Sequence, residues 1–389
     1  MTKTIQLCCL GFLIVFTACQ TKKKNEYNTQ SNLLESSFQR ILKFPVDSTA
    51  IPRSVDLETG DYKNVASKDW TSGFYAGSLW QMYRITKDSA YLKKAAEWTA
   101  FQEKEKYNGR THDMGFKIMC SFGNGLDIIP NSAYRDVIIK SAQTLSGRYD
   151  SIIQSIRSWD HNSDRWQYPV IIDNMMNLEL LFKTTELTGD SSYYQIAVKH
   201  ANTTLKNHFR SDGSTYHVVD YDTISGKVRE RVTHQGYADE SVWARGQAWA
   251  IYGYTMCYRF TKNKAYLNQA EKTANFMISH PRLPEDGIPY WDLNDPSIPK
   301  APRDVSAATI MVSAMYELYQ YTLEQSYLNY ADKVMENLLT ENYLLPEDSS
   351  YPFILKNSTG NWPKNDEIDV PINYADYYFL EALIRQKKK

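Results

Sequence analysis

Two aspartates, Asp113 and Asp173, each stand at the start of a segment whose apolar residues recur with helical spacing. Two carboxyl groups in one pocket are the minimal equipment for acid–base chemistry on a sugar, provided that one keeps its proton while the other stays ionised. A helix N-terminus favours the anion, whereas burial and a neighbouring negative charge favour the acid. The sequence leaves open which effect dominates at which aspartate, and either residue could instead be a plain helix N-cap.

An internal repeat describes the elements that must position these carboxyl groups. Four times a Thr that ends an apolar helical segment is followed five residues later by Tyr and four residues after that by Ala, in a more polar helical segment. The repeating unit is therefore a helical hairpin with a buried helix, a short polar turn and an amphipathic helix. The Thr, Tyr and Ala of the four copies are Thr86, Tyr91 and Ala95; Thr188, Tyr193 and Ala197; Thr261, Tyr266 and Ala270; Thr322, Tyr327 and Ala331.

Two further hairpins bring the number to six. A weaker copy fits between Asp113 and Tyr149, and a last buried helix over Tyr374–Ile384 would have Leu33–Phe44 as its outer partner. Six hairpins closed into a ring make an (α/α)6 toroid, so the sequence predicts an all-α catalytic domain over residues 31–389. An open solenoid is the alternative, but a C-terminal helix rich in Tyr and Leu and without a polar cap favours closure.

The inner helices of such a ring run parallel, so their N-terminal ends share one face. Polar or aromatic residues open all six predicted inner helices, and functional residues should cluster there. These residues are Trp70, Asp113, Asp173, Arg245 with Trp249, Asp304 with Ser306, and Asp376 with Tyr377. Because Asp113 and Asp173 belong to adjacent hairpins, we expect their carboxyl groups to face one cleft.

Composition and residue spacing argue against nucleic acid, an anionic membrane surface and metal ions as binding partners. The chain has 44 basic and 45 acidic residues, a net charge of -1, so no global field draws it toward nucleic acid or an anionic membrane surface. The seven His residues form no metal-ligand spacing, and no Cys-x-x-Cys occurs. We therefore expect neither a metal nor a cofactor, and no nucleic-acid partner.

The N-terminus resembles a bacterial lipoprotein signal. A short basic start is followed by an apolar stretch over Leu7–Phe16 that is too short to span a bilayer and that runs directly into Thr-Ala-Cys19. Residues 1–18 are the predicted signal peptide, Cys19 the lipidated residue, and residues 19–30 a polar tether. This would anchor the protein to the bacterial cell envelope, on the periplasmic face or the cell surface, by its lipid alone. An ordinary secretory signal with an incidental Cys is the alternative.

Four separate motifs carry a family resemblance over roughly Trp70 to Leu383. The motifs are Thr111-His-Asp-Met-Gly-Phe116, Val170-Ile-Ile-Asp-Asn-Met-Met-Asn-Leu178, Thr233-His-Gln-Gly-Tyr-Ala-Asp-Glu-Ser-Val-Trp-Ala-Arg-Gly-Gln-Ala-Trp249 and Asp376-Tyr-Tyr-Phe-Leu-Glu-Ala-Leu383. Together they resemble the unsaturated glucuronyl hydrolases, glycoside hydrolase family 88. The resemblance implies removal of a terminal 4,5-unsaturated uronic acid from oligosaccharides that polysaccharide lyases release.

The same resemblance implies roles for individual residues. The position of Asp173 would protonate C4 of the unsaturated sugar and then help to activate water for addition at C5, while Asp113 would contact the ring and support its charge distribution. Further positions would surround the sugar. These positions are Trp70, Trp159, His217, Thr233, Gln235, Arg245 and Trp249.

Several alternatives stay open at this point. Unsaturated rhamnogalacturonyl hydrolases share the ring and the hydration chemistry but act on pectin fragments, and a non-catalytic lipoprotein that captures glycans would need no Asp173. Arg245 could merely pair with Asp239 or Glu240. The segment 356–365 offers only Ser358 where the family pattern predicts more than one serine near the first leaving sugar.

Overall fold

The computed structural model describes residues 31–388. The predicted signal peptide, Cys19 and the tether therefore lie outside the described residues. Helices account for most of the described part, and none of them is long and apolar enough to cross a membrane. In chain order they are α1 (31–43), α2 (Ser72–Thr86), α3 (Ser89–Ala100), α4 (Met114–Ile118), α5 (Asn124–Leu126), α6 (Ser132–Ser146), α7 (Asn174–Thr188), α8 (Ser191–Asn207), α9 (Ala244–Thr261), α10 (Lys264–Ile278), α11 (Val305–Thr322), α12 (Gln325–Leu338) and α13 (Asn373–Gln386).

The inner layer is a closed ring of six helical units. A π-helical stretch at Met119–Gly123 joins α4 to α5, so that the two short helices together serve as one inner unit. Going round the ring, α2 packs on α4, α4 on α7, α7 on α9, α9 on α11, α11 on α13, and α13 packs back on α2. The contact between α13 and α2 excludes the open solenoid, and the fold is an (α/α)6 toroid, as predicted.

The sequence repeat has a hydrogen-bonded cause. At all four turns the Thr hydroxyl donates to the carbonyl four residues earlier and accepts the backbone N–H two residues later. The residue between them adopts the left-handed conformation that ends the inner helix, and the next side chain caps the outer helix. The Tyr and Ala that follow are buried. The capping residues are Asp88, Asp190, Asn263 and Glu324.

The weaker copy and the N-terminal helix also belong to the outer layer. Asn131 caps α6 by accepting the N–H groups of the next turn, and Ala142 of the same helix is fully buried. Near the start of the described chain, the carbonyl of Ile41 in α1 accepts a hydrogen bond from Tyr75 of α2. The outer helices therefore pack their apolar stripe on the ring and leave a polar face outside.

Short antiparallel strands occupy the connections on the face where the inner helices begin. The strands are β1 (Ile51–Val55) with β2 (Tyr62–Val65), β3 (Tyr149–Asp150) with β4 (Ser155–Ile156), and β5 (Pro169–Ile171), β6 (Val218–Tyr221) and β7 (Val228–Val232) in one sheet. In that sheet Ile171 lies opposite Val218. Because α7 follows β5 almost directly, the sheet fixes the start of this inner helix.

Aromatic rings fill the axis of the ring beneath this face. Trp249 lies with its ring centroid 5.1 Å from Phe116 and 5.6 Å from Tyr378, and Phe74 packs 5.9 Å from Tyr374. All are at most 2% exposed. Large rings from different inner helices therefore close the centre of the toroid and give the face a solid floor.

Candidate active site

The N-terminal ends of the inner helices surround a cavity of about 180 Å³. Connections between hairpins complete its wall, so every side of the cavity comes from a different part of the chain. The lining residues are Arg53, Trp70, His112, Asp113, Phe116, Trp159, Ile171, Asp173, His234, Gln235, Arg245, Gly360, Asn361 and Asp366. Both predicted catalytic aspartates thus lie in one cavity, together with Trp70, Trp159, Gln235 and Arg245 of the predicted sugar-binding set.

Asp173 occupies the N-cap position of α7 but does not cap the helix. Its side chain accepts no hydrogen bond from the first turn, and its Oδ2 atom is buried without a hydrogen-bond partner. Burial is the main reason that the pKa of this carboxyl rises to about 7; the nearby charge of Arg245 opposes the rise, and that of Asp113 adds to it. The group is therefore able to hold and release a proton near neutral pH.

His217 presents a fixed ring nitrogen to Asp173. Its Nδ1 atom accepts the backbone N–H groups of His234 at 3.1 Å and Gln235 at 3.2 Å, so the proton of the neutral ring resides on Nε2. Burial holds the pKa of His217 well below its usual range. Nε2 lies 3.7 Å from Oδ2 of Asp173, which is beyond hydrogen-bond distance, and both atoms are buried without a hydrogen-bond partner.

Asp113 stands at the start of α4 and also leaves the helix uncapped. Its Oδ2 accepts the hydroxyl of Thr111 at 2.7 Å, and Oδ1 lies 3.1 Å from Nε2 of His112. Burial lowers the pKa of His112, which favours the neutral ring. The two aspartates thus differ in setting, because Asp113 accepts a hydrogen bond from the Thr111 hydroxyl, whereas Oδ2 of Asp173 is buried without a hydrogen-bond partner.

Other aspartates at inner-helix starts are structural. Asp304 caps α11 through the N–H groups of Ser306 and the following residue, and its second oxygen binds Arg245 at 2.7 Å. Asp376 accepts the backbone N–H groups of Ile354 and Leu355, which lie in a connection and not in the cavity. Asp304 and Asp376 therefore both use their carboxyl oxygens for structural hydrogen bonds and lie outside the cavity lining, unlike Asp113 and Asp173.

Arg245 is tied to the floor of the cavity. Its guanidinium is 1% exposed, binds Asp304 and donates to the carbonyls of Thr359 and Gly360. The alternative partners considered from the sequence, Asp239 and Glu240, were wrong, because the partner lies on the next inner helix. This arrangement joins α9, α11 and the segment 357–370 beneath the substrate space.

Two tryptophans form part of the wall. Trp70 packs 5.0 Å from Tyr374 and 5.4 Å from Phe116, and Trp159 stacks on His161 at 4.9 Å with an interplanar angle of 22°. Both rings are partly exposed to the cavity. They offer apolar faces on which a sugar ring can pack.

Three predicted binding residues lie behind the wall. Trp249 belongs to the aromatic floor, and His217 supports Asp173 as described above. Thr233 accepts the N–H of Gly236 on its hydroxyl at 2.7 Å, while its own N–H binds Asp239. The hydroxyl therefore shapes the turn that carries His234 and Gln235 to the cavity.

The sequence prediction missed several residues of the wall. His112 and Phe116 belong to the first family motif, from which only Asp113 was predicted as a site residue. Arg53 on β1 reaches the cavity and is held by Glu367 at 2.5 Å, although more than 300 residues separate them in the chain. No local pattern in the sequence could have revealed that pairing.

The ring and its paired carboxyl groups define the class of protein, a glycoside hydrolase. The family model described as Glycosyl Hydrolase Family 88 matches residues 46–283. The chain belongs to glycoside hydrolase family 88.

Similar proteins agree over nearly the whole chain. An unsaturated glucuronyl hydrolase of Formosa agariphila is 57% identical over 383 residues, which cover 97% of this chain and 96% of the relative. An unsaturated chondroitin disaccharide hydrolase of Streptococcus agalactiae is 34% identical, with 83% of each chain covered. The crystal structure of an unsaturated glucuronyl hydrolase specific for heparin superposes with a TM-score of 0.89 at 39% identity, covering 93% of this chain and 97% of its own.

The burial of Asp173 predicts a pH-dependent cost in stability. Its pKa is about 7 in the folded protein against an ordinary value of 3.8, so the folded state binds more protons between these values. The stabilising contribution of Asp173 is complete below about pH 4 and is lost as the pH rises through 7. We expect Asp173→Asn to gain stability relative to the wild type from pH 5 to pH 8, measured as the difference between their thermal unfolding midpoints. A difference that stays constant with pH would contradict the assigned burial.

Proposed function

We propose that the protein removes a terminal 4,5-unsaturated uronic acid from oligosaccharides by hydrating the double bond, with Asp173 as general acid and base. The observation that carries this proposal is the buried carboxyl of Asp173, which belongs to the lining of the cavity, has no hydrogen-bond partner at Oδ2 and has a pKa of about 7. Hydration of a vinyl ether needs a group that gives a proton to carbon and then takes one from water. A single carboxyl poised near neutral pH meets both needs.

The reaction begins with the protonated Asp173. Its proton goes to C4 while positive charge develops at C5 and the ring oxygen, and the resulting carboxylate takes a proton from the water that adds to C5. The ring of the C5 hemiketal then opens to a ketone. The hemiacetal left at C1 expels the leaving sugar as its alcohol and becomes an aldehyde, so one water is consumed and Asp173 regains its proton.

The surrounding groups support these steps. Nε2 of His217 lies 3.7 Å from Oδ2 of Asp173. We assign Asp113 the support of positive charge that develops on the sugar, because it lines the same cavity as Asp173. Trp70 and Trp159 also line the cavity and can pack on the sugar. The names of the relatives support the substrate class, since they describe hydrolases of unsaturated glucuronyl and unsaturated chondroitin disaccharide substrates and one glucuronyl hydrolase specific for heparin.

An absorbance assay tests the reaction. Mature protein is mixed with unsaturated disaccharides from several polysaccharide lyases and with saturated counterparts, and the ultraviolet absorbance of the conjugated uronate is followed. We expect absorbance to fall with unsaturated glucuronyl substrates, because hydration removes the double bond, and saturated controls to remain intact by chromatography. Turnover confined to pectin-derived rhamnogalacturonan fragments would favour the rhamnogalacturonyl alternative, and binding without turnover would favour a glycan-capturing lipoprotein.

Two buried aspartates provide a matched pair for the assigned role. Asp173 and Asp376 are both buried, and burial raises the pKa of each to about 7, but only Asp173 faces the cavity. We expect Asp173→Asn to lower kcat at least 100-fold, because an amide cannot cycle a proton. The control variant Asp376→Asn should retain kcat within a few-fold, since its backbone contacts lie outside the site. Near-native turnover by Asp173→Asn in the absorbance assay would refute the role.

We further propose that the enzyme is anchored to the bacterial cell envelope by a lipid on Cys19. The support is the order of basic start, short apolar stretch and Ala-Cys in the first 19 residues. The position of the anchor would hold the enzyme where oligosaccharides released outside the cytoplasm arrive. The residues from 20 to 30 would then separate the ring from the membrane.

Fatty-acid labelling tests the anchor. When the full chain is expressed in a bacterial host with labelled palmitate, we expect the wild type to incorporate label and to sediment with membranes. Cys19→Ala should lose both properties while retaining activity, because the site lies in residues 31–388. A wild type that is exported without label would support the ordinary secretory signal instead.

A further inference from the structure

Trp362 has an exposed ring beside the cavity. It is 37% exposed and is the most exposed of the nine tryptophans in the chain, all of which the structure describes. The preceding residue, Asn361, lines the cavity, whereas Trp362 itself does not. An exposed tryptophan is costly unless it has a use, since burying such a ring is favourable.

The ring of Trp362 is held in place from below. It stacks on Trp291 with centroids 5.7 Å apart and an interplanar angle of 28°. Trp291 is 1% exposed, and its indole N–H donates to Asp295 at 2.6 Å. One face of Trp362 is thus supported by a fixed ring, which leaves the other face available to a ligand.

The loop that carries Trp362 is also fixed. Asn361 and Asp366 pair across it, and the N–H of Asn365 donates to the carbonyl of Trp362 at 2.9 Å. Lys63 on β2 binds Asp366 at 2.5 Å. A platform that is ordered before binding loses little conformational entropy when a ligand arrives.

The same loop borders the cavity through Asn361 and Asp366. Burial, and after it the positive charge of Lys364, lowers the pKa of His161 and of His234, the latter to about 4. Both histidines pack on Trp159. Lys364 is therefore close enough to these histidines to act on their charge, and Asn361 of the same loop lines the cavity together with His234.

The size of the cavity determines which sugar meets Trp362. A volume of about 180 Å³ has room for one pyranose ring, which the unsaturated uronate must occupy to reach Asp173. A first leaving sugar outside this ring would lie beside Asn361, which lines the cavity. The next sugar outward would then come to Trp362, which follows Asn361 in the chain and does not line the cavity.

We propose that Trp362 is a stacking platform for the second leaving sugar, so that the enzyme prefers unsaturated oligosaccharides of three or more sugars to disaccharides. This inference rests on the proposed function for its substrate class. The apolar face of a pyranose packs on an aromatic ring, and such contacts contribute through area and through the electron-rich face of the ring. The rim bears the positive Lys364, which also suits a sugar with an anionic substituent.

Chain length and Trp362→Ala together test the platform. An unsaturated disaccharide and a tetrasaccharide are prepared with the same lyase. We expect Trp362→Ala to raise KM for the tetrasaccharide roughly 3- to 10-fold with little change in kcat, since one aromatic contact is lost. KM for the disaccharide should stay within about twofold, and Trp362→Phe should restore most of the tetrasaccharide affinity. Leu323→Ala, an exposed apolar change at the C-terminal end of α11, is the control and should alter neither substrate.

A binding measurement separates the platform from the reaction. In Asp173→Asn, calorimetry should show the tetrasaccharide to bind more tightly than the disaccharide, and adding Trp362→Ala should abolish the difference. Equal loss for both substrates, or no loss for either, would overturn the platform. If the wild type turns over neither substrate but the length-dependent binding persists, the proposed reaction fails and the platform stands.

Discussion

The burial of one carboxyl group without a compensating partner is the constraint around which this protein is organised. A charged carboxylate at the position of Asp173 would be costly in so dry a site, and the group responds by keeping its proton to about neutral pH. The helix start that would otherwise stabilise the anion is not used for a cap bond. The fold thus forgoes a local hydrogen bond and keeps a carboxyl group whose pKa lies near neutral pH.

Arg245 limits the rise in the pKa of Asp173. Its guanidinium is the charge that most opposes the rise in the pKa of Asp173, yet it is already committed to Asp304 and to two backbone carbonyls. A free guanidinium at this place would pair with Asp173 and depress its pKa. The buried pair with Asp304 therefore fixes two inner helices and at the same time moderates the field at the acid.

The architecture was predictable because its causes are local. Each turn of the repeat depends on a Thr and a capping residue that lie within a few positions of each other. The turns therefore share a regular residue spacing that can be recognised in the sequence. The closed ring, the paired aspartates and much of the wall were predicted for that reason and from the family motifs. The partner of Arg245 and the contribution of Arg53 could not be predicted, because each depends on contacts between segments far apart in the chain. The sequence also could not distinguish Asp173 from Asp376. Both are buried aspartates at inner-helix starts, and only the folded structure shows that Asp173 lines the cavity.

The two faces of the ring differ in the length of their connections. At one face, turns of two residues after α2, α7, α9 and α11 lead directly into the outer helices. At the other, long segments such as 208–243 and 339–372 run between hairpins and supply most of the cavity wall. Insertions and substitutions in the long segments can therefore change which saccharides are accepted while the ring remains untouched. The short turns are suitable sites for inserting a reporter or a second domain, since an insertion there would lie on the opposite face of the ring from the cavity.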